Sequence, residues 1–235
     1  MPHWKEQQLE QLLAETDEQR MFNIAVSLAE QLEMEFLAFG MRVQIATQAP
    51  QVRFFNNYPA AWNERYQACN YLDIDPTVAH CQRSLMPLLW SDAVFHETPH
   101  LREEAKSYGV CHGWSQSAHD MRHNLSILSV ARSQTPISLE EHYDKAGQTI
   151  WLCNLLHTMM LDRRPGQGTP SYKLSDRESE VLKWSAAGKT AADIACILSL
   201  SQSTVNFHIR SIIISKTNAS NKAGAIAIAV MNGLI

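Results

Sequence analysis

The sequence has no apolar stretch long enough to cross a membrane. Its longest uninterrupted apolar run, Ala225 to Met231, has seven residues, whereas a spanning helix needs about 18 or more. The first 20 residues are polar and acidic and lack the basic start and apolar middle of a secretion signal. We therefore expect a cytoplasmic protein without a membrane segment.

Cysteine is scarce, and no two cysteines form a C-x-x-C pair. The cysteines are odd in number and widely spaced, which is unlike a disulfide framework. We expect reduced, mostly packed thiols. The five are Cys69, Cys81, Cys111, Cys153 and Cys196.

Motifs of catalysis and metal binding are also missing. The sequence contains neither a nucleophile elbow nor a glycine-rich phosphate loop. Two histidine pairs, His96 with His100 and His119 with His123, have i,i+4 spacing, but this spacing joins two ligands only on a helix, and both pairs lie in polar, turn-rich segments. We expect a protein that is not an enzyme and holds no metal and no cofactor.

The chain as a whole has no strong charge of one sign, because 20 Lys and Arg face 24 Asp and Glu. The balance differs along the chain. Residues 1–172 have 13 basic against 20 acidic side chains, a net charge of −7, and residues 173–235 have seven against four, a net charge of +3. The C-terminal part is therefore the candidate for binding an anionic partner.

A single segment divides the chain. Residues 162–171, DRRPGQGTPS, hold two prolines and two glycines and cannot continue a helix. We predict an N-terminal domain over residues 1–162, a linker over 163–172 and a C-terminal domain over 173–235.

Residue patterns before the linker predict helices packed on a sheet. Apolar residues at helical spacing predict helices over Lys5–Ala14, Glu18–Gln31 and Glu140–Leu161. Short β-branched or aromatic runs between turn residues predict strands. Together they indicate an α/β/α sandwich with an antiparallel sheet. The predicted strands are Phe36–Val43, Val52–Phe55, Leu88–Trp90, Val110–Ser115 and Leu125–Ala131.

Helix-capping signals are dense after the linker. Ser175 with Glu178, and Thr190 with Asp193, have capping-box spacing, and Gly188 between them is typical of a helix end. The pattern predicts an all-α unit of four short helices with the second and third tightly linked. The third helix is predicted from Ser201 to about Ser215, and the fourth from Asn221 to Asn232 and Gly233.

The third of these helices has an apolar and a polar face. Val205, Ile209 and Ile212 lie on the apolar face. Ser203, Asn206 and Arg210 lie on the second, where they could contact base edges. The spacing alone fits a DNA-recognition helix and a small bundle with a solvated face equally well. Side chains that could contact phosphates are Thr190, Ser203, Thr204, His208 and Lys216.

The fourth helix is apolar on nearly every face, which a lone surface helix does not tolerate. If the unit binds DNA as a dimer, Ile226 and Val230 face a second copy, while Ala225, Ile228 and Ala229 face the core. The DNA target would then be a two-fold repeat.

Aromatic residues and one aspartate single out a region of the N-terminal domain. A helix beginning at Pro59 places Trp62 and Tyr66 on one face. Asp75 precedes Pro76 between apolar stretches, where a buried carboxylate needs a hydrogen-bond donor. The alternative from the residues alone is that the aromatics are ordinary core and that Asp75 caps a helix starting at Pro76.

The C-terminal sequence LSDRESEVLKWSAAGKTAADIACILSLSQSTVNFHIRS closely resembles the DNA-binding domain of LuxR-type quorum-sensing regulators. The resemblance implies a four-helix helix-turn-helix domain that binds a roughly palindromic promoter element as a homodimer, and it adds Lys189 to the residues expected at the DNA. After His208 this chain is one residue longer than the family pattern, at IIISKT, and Thr217 stands where leucine is expected.

The resemblance covers essentially the whole chain and extends to the acyl-homoserine-lactone receptors of that family, in particular its orphan receptors. It implies that the N-terminal domain is a GAF- or PAS-like autoinducer-binding domain. The matching positions are Phe39-Gly40, Tyr58-Pro59, Trp62, Tyr66, Asp75-Pro76, Trp90, Gly113 and Ser129.

The resemblance also implies a role for each pocket residue. Trp62 would donate its indole N–H to the lactone carbonyl, and Asp75 would accept the amide N–H. Tyr58 and Ser129 would bond the amide carbonyl. Tyr66 and Trp90 would pack the lactone ring and the acyl chain. The remaining pocket positions are Gly113 and Ala38, and a close relative has a serine in place of Ala38.

We therefore expect a homodimeric transcription factor that binds an acyl-homoserine lactone and double-stranded promoter DNA. Two alternatives stay open. One is a LuxR-type sensor of a non-lactone ligand, and the other is a regulator impaired in DNA binding that acts by heterodimerisation. A lactone hydrolase would differ from all of these by turnover.

Overall fold

The computed structural model of the protein describes residue 4 and residues 6–45, 48–121, 123–162 and 173–235. These residues form two compact units, one mainly from the chain before residue 163 and one mainly from residues 173–235. The predicted linker, residues 163–172, lies outside the described residues. The domain limits 1–162 and 173–235 therefore stay predictions.

A five-stranded sheet forms the middle of the N-terminal unit. Its strands are β1 (Phe36–Ile45), β2 (Gln48–Asn56), β3 (Leu88–Leu89), β4 (His112–His119) and β5 (Leu125–Arg132). The strand order is β2-β1-β5-β4-β3, and β5 pairs antiparallel with both β1 and β4. The register places Ser129 of β5 opposite Ala38 on one side and Ser115 on the other.

All the helices predicted for this unit are present. They are α1 (Glu6–Ala14), α2 (Glu18–Glu30), α3 (Ala60–Ala68), α4 (Pro76–Cys81), α5 (Pro99–Ser107) and α6 (Leu139–Asp162). Helix α3 follows Pro59, as predicted, and α4 begins at Pro76, as the alternative for Asp75 required. Helix α5 is absent from the prediction because Leu101 and Ala105 are its only apolar residues.

One face of the sheet supports the main hydrophobic core. Strand alternation directs Leu37, Phe39 and Met41 of β1 to this face, where they are buried against residues of α1, α2 and α6. Trp114 of β4 is fully buried in the same cluster. Its indole N–H donates to the Thr149 hydroxyl of α6 at 3.1 Å, so the largest core side chain is also satisfied as a donor.

The opposite face carries small side chains. Ala38 and Gly40 of β1, Gly113 and Ser115 of β4, and Ser129 of β5 alternate with the core residues. A second apolar cluster packs on this side. Helices thus cover both faces, which confirms the predicted α/β/α sandwich. The buried members of the second cluster are Trp62, Tyr71, Phe95, Leu101, Val110 and Ala131.

The C-terminal unit is helical, as predicted. Its helices are α7 (Asp176–Ala186), α8 (Ala191–Leu198), α9 (Gln202–Ser211) and α10 (Lys222–Met231). Both predicted capping boxes are formed, at Ser175 and at Thr190. Ser201 and Asn221 cap α9 and α10 through their side chains. Gly188 has φ +80°, the left-handed conformation that favours glycine at a helix end.

The third predicted helix ends earlier than expected. Instead of continuing to Ser215, α9 ends at Ser211 and is followed by a π-helical segment, Ile212–Thr217. The wider turn of a π-helix accommodates an additional residue in a helix. This segment coincides with IIISKT, where the chain is one residue longer than the family pattern, and the Thr217 hydroxyl donates to the Ile212 carbonyl at 3.0 Å.

Candidate ligand pocket and DNA interface

Trp62 lies at the centre of a group of aromatic rings. Its ring centroid is 5.6 Å from that of Tyr66, as the i,i+4 spacing predicts, 6.1 Å from that of Tyr71 and 5.6 Å from that of Tyr108. Trp62 is 4% exposed. None of the described residues accepts its indole N–H, so this group supplies a donor inside an apolar enclosure.

Asp75 is both a helix cap and a member of the pocket. Its Oδ1 accepts from the Thr77 backbone N–H at 2.8 Å and from the Thr77 hydroxyl at 2.7 Å, which caps α4. Its Oδ2 accepts from the Tyr66 hydroxyl at 2.9 Å. Burial raises the pKa of Asp75, although these donors oppose the shift. The cap and the pocket interpretations are therefore compatible, because each uses a different oxygen.

Tyr58 lies beside Phe36, with their ring centroids 5.8 Å apart. Burial raises the pKa of the Tyr58 phenol, and the nearby Asp75 adds to this shift. Tyr58 therefore keeps its proton at neutral pH and remains a hydrogen-bond donor.

The floor of the pocket contains a chain of hydrogen bonds. The Trp90 indole N–H donates to the Ser115 hydroxyl at 2.9 Å, and the Ser115 and Ser129 hydroxyls are 2.7 Å apart. The sequence singled out Trp90 and Ser129 but not Ser115, which links them. The alternation of residues along β4 would have placed Ser115 on the face of Gly113.

Gly113 is required by close packing on this floor. A Cβ at this position would lie 2.3 Å from the Val130 carbonyl oxygen and 2.9 Å from Cζ3 of Trp90. Any side chain here would displace the Trp90 ring from the sheet. Gly113 thus positions Trp90 over the strands.

Two apolar side chains outside the sequence prediction lie along the same face. Phe54 of β2 packs on Gly40, since a Cβ at Gly40 would be 3.4 Å from its ring. Phe54 and Val52 are both exposed. Gly40 and Ala38 lie on the same face of β1. Phe54 and Val52 therefore add an apolar surface next to the small residues of that face. Their alternation in the β2 sequence was the signal that could have identified them.

Helix α9 presents a polar face, as predicted. Ser203, Asn206 and Arg210 are exposed, while Val205 is fully buried. Phe207 lies among the polar residues and is 67% exposed, an apolar position that sequence reasoning missed.

Three of the hydroxyls predicted at phosphates already take part in helix caps. Thr190 donates to Asp193 at 2.7 Å. Ser203 and Thr204 bond the hydroxyl of Ser201 at 2.7 and 2.8 Å. The other predicted contacts differ in exposure: Lys189 is exposed and His208 is half-buried.

Lys216 is bound inside the C-terminal unit. Its ammonium lies 2.7 Å from Oε2 of Glu178, which is 5% exposed and also accepts from Ser175 and Ser211. Burial alone would raise the pKa of Glu178, but Lys216 and Ser175 overcome this and hold it at about 2. The Lys216 charge predicted at a phosphate is thus engaged by Glu178.

Family models match both halves of the chain. The autoinducer binding domain matches residues 17–160, and the luxR family of bacterial regulatory proteins matches residues 172–229. The chain belongs to the LuxR family of autoinducer-binding transcriptional regulators.

Relatives of this LuxR-family chain are similar along its whole length. The transcriptional activator protein AnoR of Acinetobacter nosocomialis is 36% identical over 239 residues, covering 100% of both chains. A crystal structure of Escherichia coli SdiA has a TM-score of 0.72 at 31% identity and covers 97% of this chain and 96% of its own. SdiA in complex with octanoyl-rac-glycerol has a TM-score of 0.70 at 32% identity, with coverages of 97% and 93%.

Helix α10 of this LuxR-family protein divides its apolar residues between two environments. Ala225 and Ala229 are fully buried. Ile226 is half-buried against the same cluster, and Val230 is 41% exposed. Of the two predicted dimer residues, Val230 is therefore the more accessible.

The histidine pairs do not form a metal site within the described ranges, where no group of three potential ligands was found. His119, at the end of β4, places Nε2 2.9 Å from the Cys81 carbonyl oxygen. His100 lies on α5.

None of the helices described is long and apolar enough to span a membrane.

Proposed function

We propose that this regulator binds an N-acyl-homoserine lactone in the pocket of its N-terminal unit. The proposal rests on the Asp75 carboxylate, whose pKa is raised by burial and which only neutral donors contact among the described residues. Such a group gains most from one further N–H donor. An acyl-homoserine lactone has one amide N–H and two carbonyl oxygens, which need donors.

Donors for those carbonyls lie around Asp75. Trp62 donates its indole N–H to the lactone carbonyl, and Tyr58 and Ser129 donate to the amide carbonyl. Tyr66 and Trp90 pack the lactone ring and the start of the chain. The acyl chain runs along the sheet face past Ala38 toward the Phe54 ring that packs on Gly40, where the side chains are small or apolar.

Ligand binding stabilises the folded receptor by mass action. A ligand that binds only the folded state at 100 times its dissociation constant adds about 2.7 kcal/mol to the free energy of unfolding. We propose that this stabilisation favours the form competent to dimerise and to bind promoter DNA.

Thermal unfolding tests the ligand. Purified protein is heated with lactones whose acyl chains have four to fourteen carbons, and a melting-temperature increase that peaks at one length is expected. Trp62→Ala and Asp75→Asn should abolish it. Trp184→Ala, an exposed tryptophan in the other unit, and Asp17→Asn, the N-cap of α2, are the matched controls and should retain it. No shift with any lactone would refute the proposal.

A second candidate ligand is an acyl glycerol. It is favoured by the SdiA structure with octanoyl-rac-glycerol, a ligand with an acyl chain and no amide N–H. If this class is the natural ligand here, octanoyl-rac-glycerol binds more tightly than N-octanoyl-homoserine lactone. The lactone proposal requires the opposite order.

We also propose that α9 enters the major groove of promoter DNA. Ser203, Asn206 and Arg210 supply exposed polar groups on one face, and the unit has a net charge of +3. Arg210→Ala should weaken binding to lux-box-like DNA by about 1–3 kcal/mol in a gel-shift titration. If neither the wild-type protein nor Arg210→Ala binds this DNA, the alternative of a regulator that acts by heterodimerisation is favoured.

The DNA-binding form is proposed to be a homodimer. Val230 and the half-buried Ile226 present one apolar surface on α10. A second surface lies on α6, where the exposed Leu139, Tyr143 and Trp151 share one face at spacings of four and eight residues. Sedimentation equilibrium with lactone should give a dimer, and Val230→Asp should raise its dissociation constant.

A further inference from the structure

The hydrogen-bond chain on the pocket floor has a direction. An indole N–H can only donate, so Trp90 donates to Ser115 and occupies an acceptor site of that hydroxyl. The Ser115 proton remains to be donated. Its neighbour is the Ser129 hydroxyl at 2.7 Å.

The opposite direction would leave a buried proton without an acceptor. Ser115 is 0% exposed. If Ser129 donated to it, the Ser115 O–H would find no other acceptor within hydrogen-bonding distance among the described side chains and carbonyls, and an unpaired buried donor is costly. The favoured order is therefore Trp90 to Ser115 to Ser129.

Ser129 is the member of the chain that a ligand can reach. It is half-buried, whereas Ser115 is enclosed beneath it. Because Ser129 accepts from Ser115, its own proton is free to point into the pocket. A bound group must then offer an oxygen acceptor at this point.

We propose that Trp90 and Ser115 are positioning residues that fix Ser129 as a donor to the amide carbonyl oxygen of the ligand. The inference rests on the proposed function and deepens it. Trp90 thereby has a role besides packing the ligand, since its N–H determines the direction of the chain. Polarisation along such a chain also strengthens its terminal donor.

The test compares two probes, N-octanoyl-homoserine lactone and its thioamide, in which sulfur replaces the amide oxygen. Sulfur is a weaker acceptor and a larger atom than oxygen, while the N–H donor is kept. We expect the wild-type protein to bind the amide about fivefold or more tightly than the thioamide, the size of one hydrogen bond. Ser129→Ala should reduce this ratio to near one.

Two positioning variants have matched controls. Trp90→Phe removes the N–H and keeps a ring, and Ser115→Ala breaks the chain; both should bring the amide-to-thioamide ratio close to that of Ser129→Ala. Trp114→Phe removes the equivalent indole bond on the opposite face, and Ser117→Ala removes a hydroxyl that bonds the Ser84 carbonyl from the same strand face. Both controls should retain the wild-type ratio.

Affinities measured by calorimetry separate the outcomes. Suppose that the amide-to-thioamide affinity ratio is reduced in Ser129→Ala but stays at the wild-type value in Trp90→Phe and Ser115→Ala. This result overturns the proposed direction of the hydrogen-bond chain and leaves the lactone proposal standing. Absence of binding of either probe to the wild-type protein overturns the proposed function and the inference with it. If Trp90→Phe does not fold, Ser115→Ala gives the same comparison.

Discussion

Asp75 and Glu178 are carboxylates at the first turns of helices, one in each unit, and they differ in the charge of their hydrogen-bond partners. Glu178 has a cation, because the Lys216 ammonium lies 2.7 Å from it. Asp75 has only neutral donors among the described residues, which are Tyr66, Thr77 and the backbone N–H of Val78. Accordingly the pKa of Glu178 is lowered and that of Asp75 is raised.

The difference separates structure from function. A buried carboxylate paired with a cation is satisfied, and removal of the cation destabilises the unit in which it lies. A carboxylate with a raised pKa and only neutral donors remains electrostatically unbalanced, and in the proposed function a ligand N–H relieves that imbalance. The comparison thus explains why we assign Glu178 to the fold and Asp75 to the site.

The largest expected effect comes from breaking the ion pair. Lys216→Ala leaves Glu178 buried and unpaired, which should lower the free energy of unfolding of the C-terminal unit by about 3–5 kcal/mol. Urea denaturation measures it, and the lactone response of the N-terminal unit should persist. Lys189→Ala, an exposed lysine of the same unit, is the control. A Lys216→Ala protein as stable as this control would contradict the assignment.

Acid should affect the two carboxylates in opposite directions. The stability that ionised Glu178 contributes is present above its ordinary pKa of 4.5 and is lost as the pH falls toward about 2, a total of about 3 kcal/mol. For Asp75, whose folded pKa is raised, the contribution is greatest at low pH and declines as the pH rises through the folded pKa.

Denaturation of Glu178→Gln and Asp75→Asn between pH 3 and pH 7 resolves these signs. The free energy of unfolding of Glu178→Gln should be lower than that of the wild-type protein at pH 7, and this difference should become smaller as the pH falls. The free energy of unfolding of Asp75→Asn should increase relative to that of the wild-type protein as the pH rises. If the stability differences of both variants from the wild-type protein changed with pH in the same direction, the distinction between Glu178 and Asp75 would be contradicted.

At neutral pH, Thr77→Val gives the smallest effect. It removes one hydroxyl donor to Asp75 and leaves the backbone N–H that caps α4. The free energy of unfolding should fall by about 1 kcal/mol. Thr158→Val, which removes an exposed hydroxyl bond on α6, is the control, and an equal change in both variants would count against a special environment at Asp75.

Local signals in the sequence predicted much of the fold. Capping residues such as Ser175 and Thr190 act within four residues, and the alternation of large and small residues along β1 defines two faces. Helix α5 was missed because its apolar face is only Leu101 and Ala105. Burial there is supplied by contacts with distant residues, which no local pattern reports.

The site shows the same limit. Asp75 could be recognised as a cap from Pro76, but the Tyr66 hydroxyl reaches it only after α3 and α4 pack together. Ser115 meets Trp90 across 25 residues of sequence, and Lys216 meets Glu178 across 38. Lys216 was predicted to contact phosphate because its charge was visible in the sequence while its partner was not.

Calorimetry with two ligands that differ in one atom tests the central claim most directly. N-octanoyl-homoserine lactone is compared with the ester in which oxygen replaces the amide N–H. If Asp75 accepts that N–H, the wild-type protein binds the amide at least about tenfold more tightly, the size of a hydrogen bond to a charged group, and Asp75→Asn removes most of the difference. Equal affinities of the wild-type protein for the amide and the ester would contradict the account.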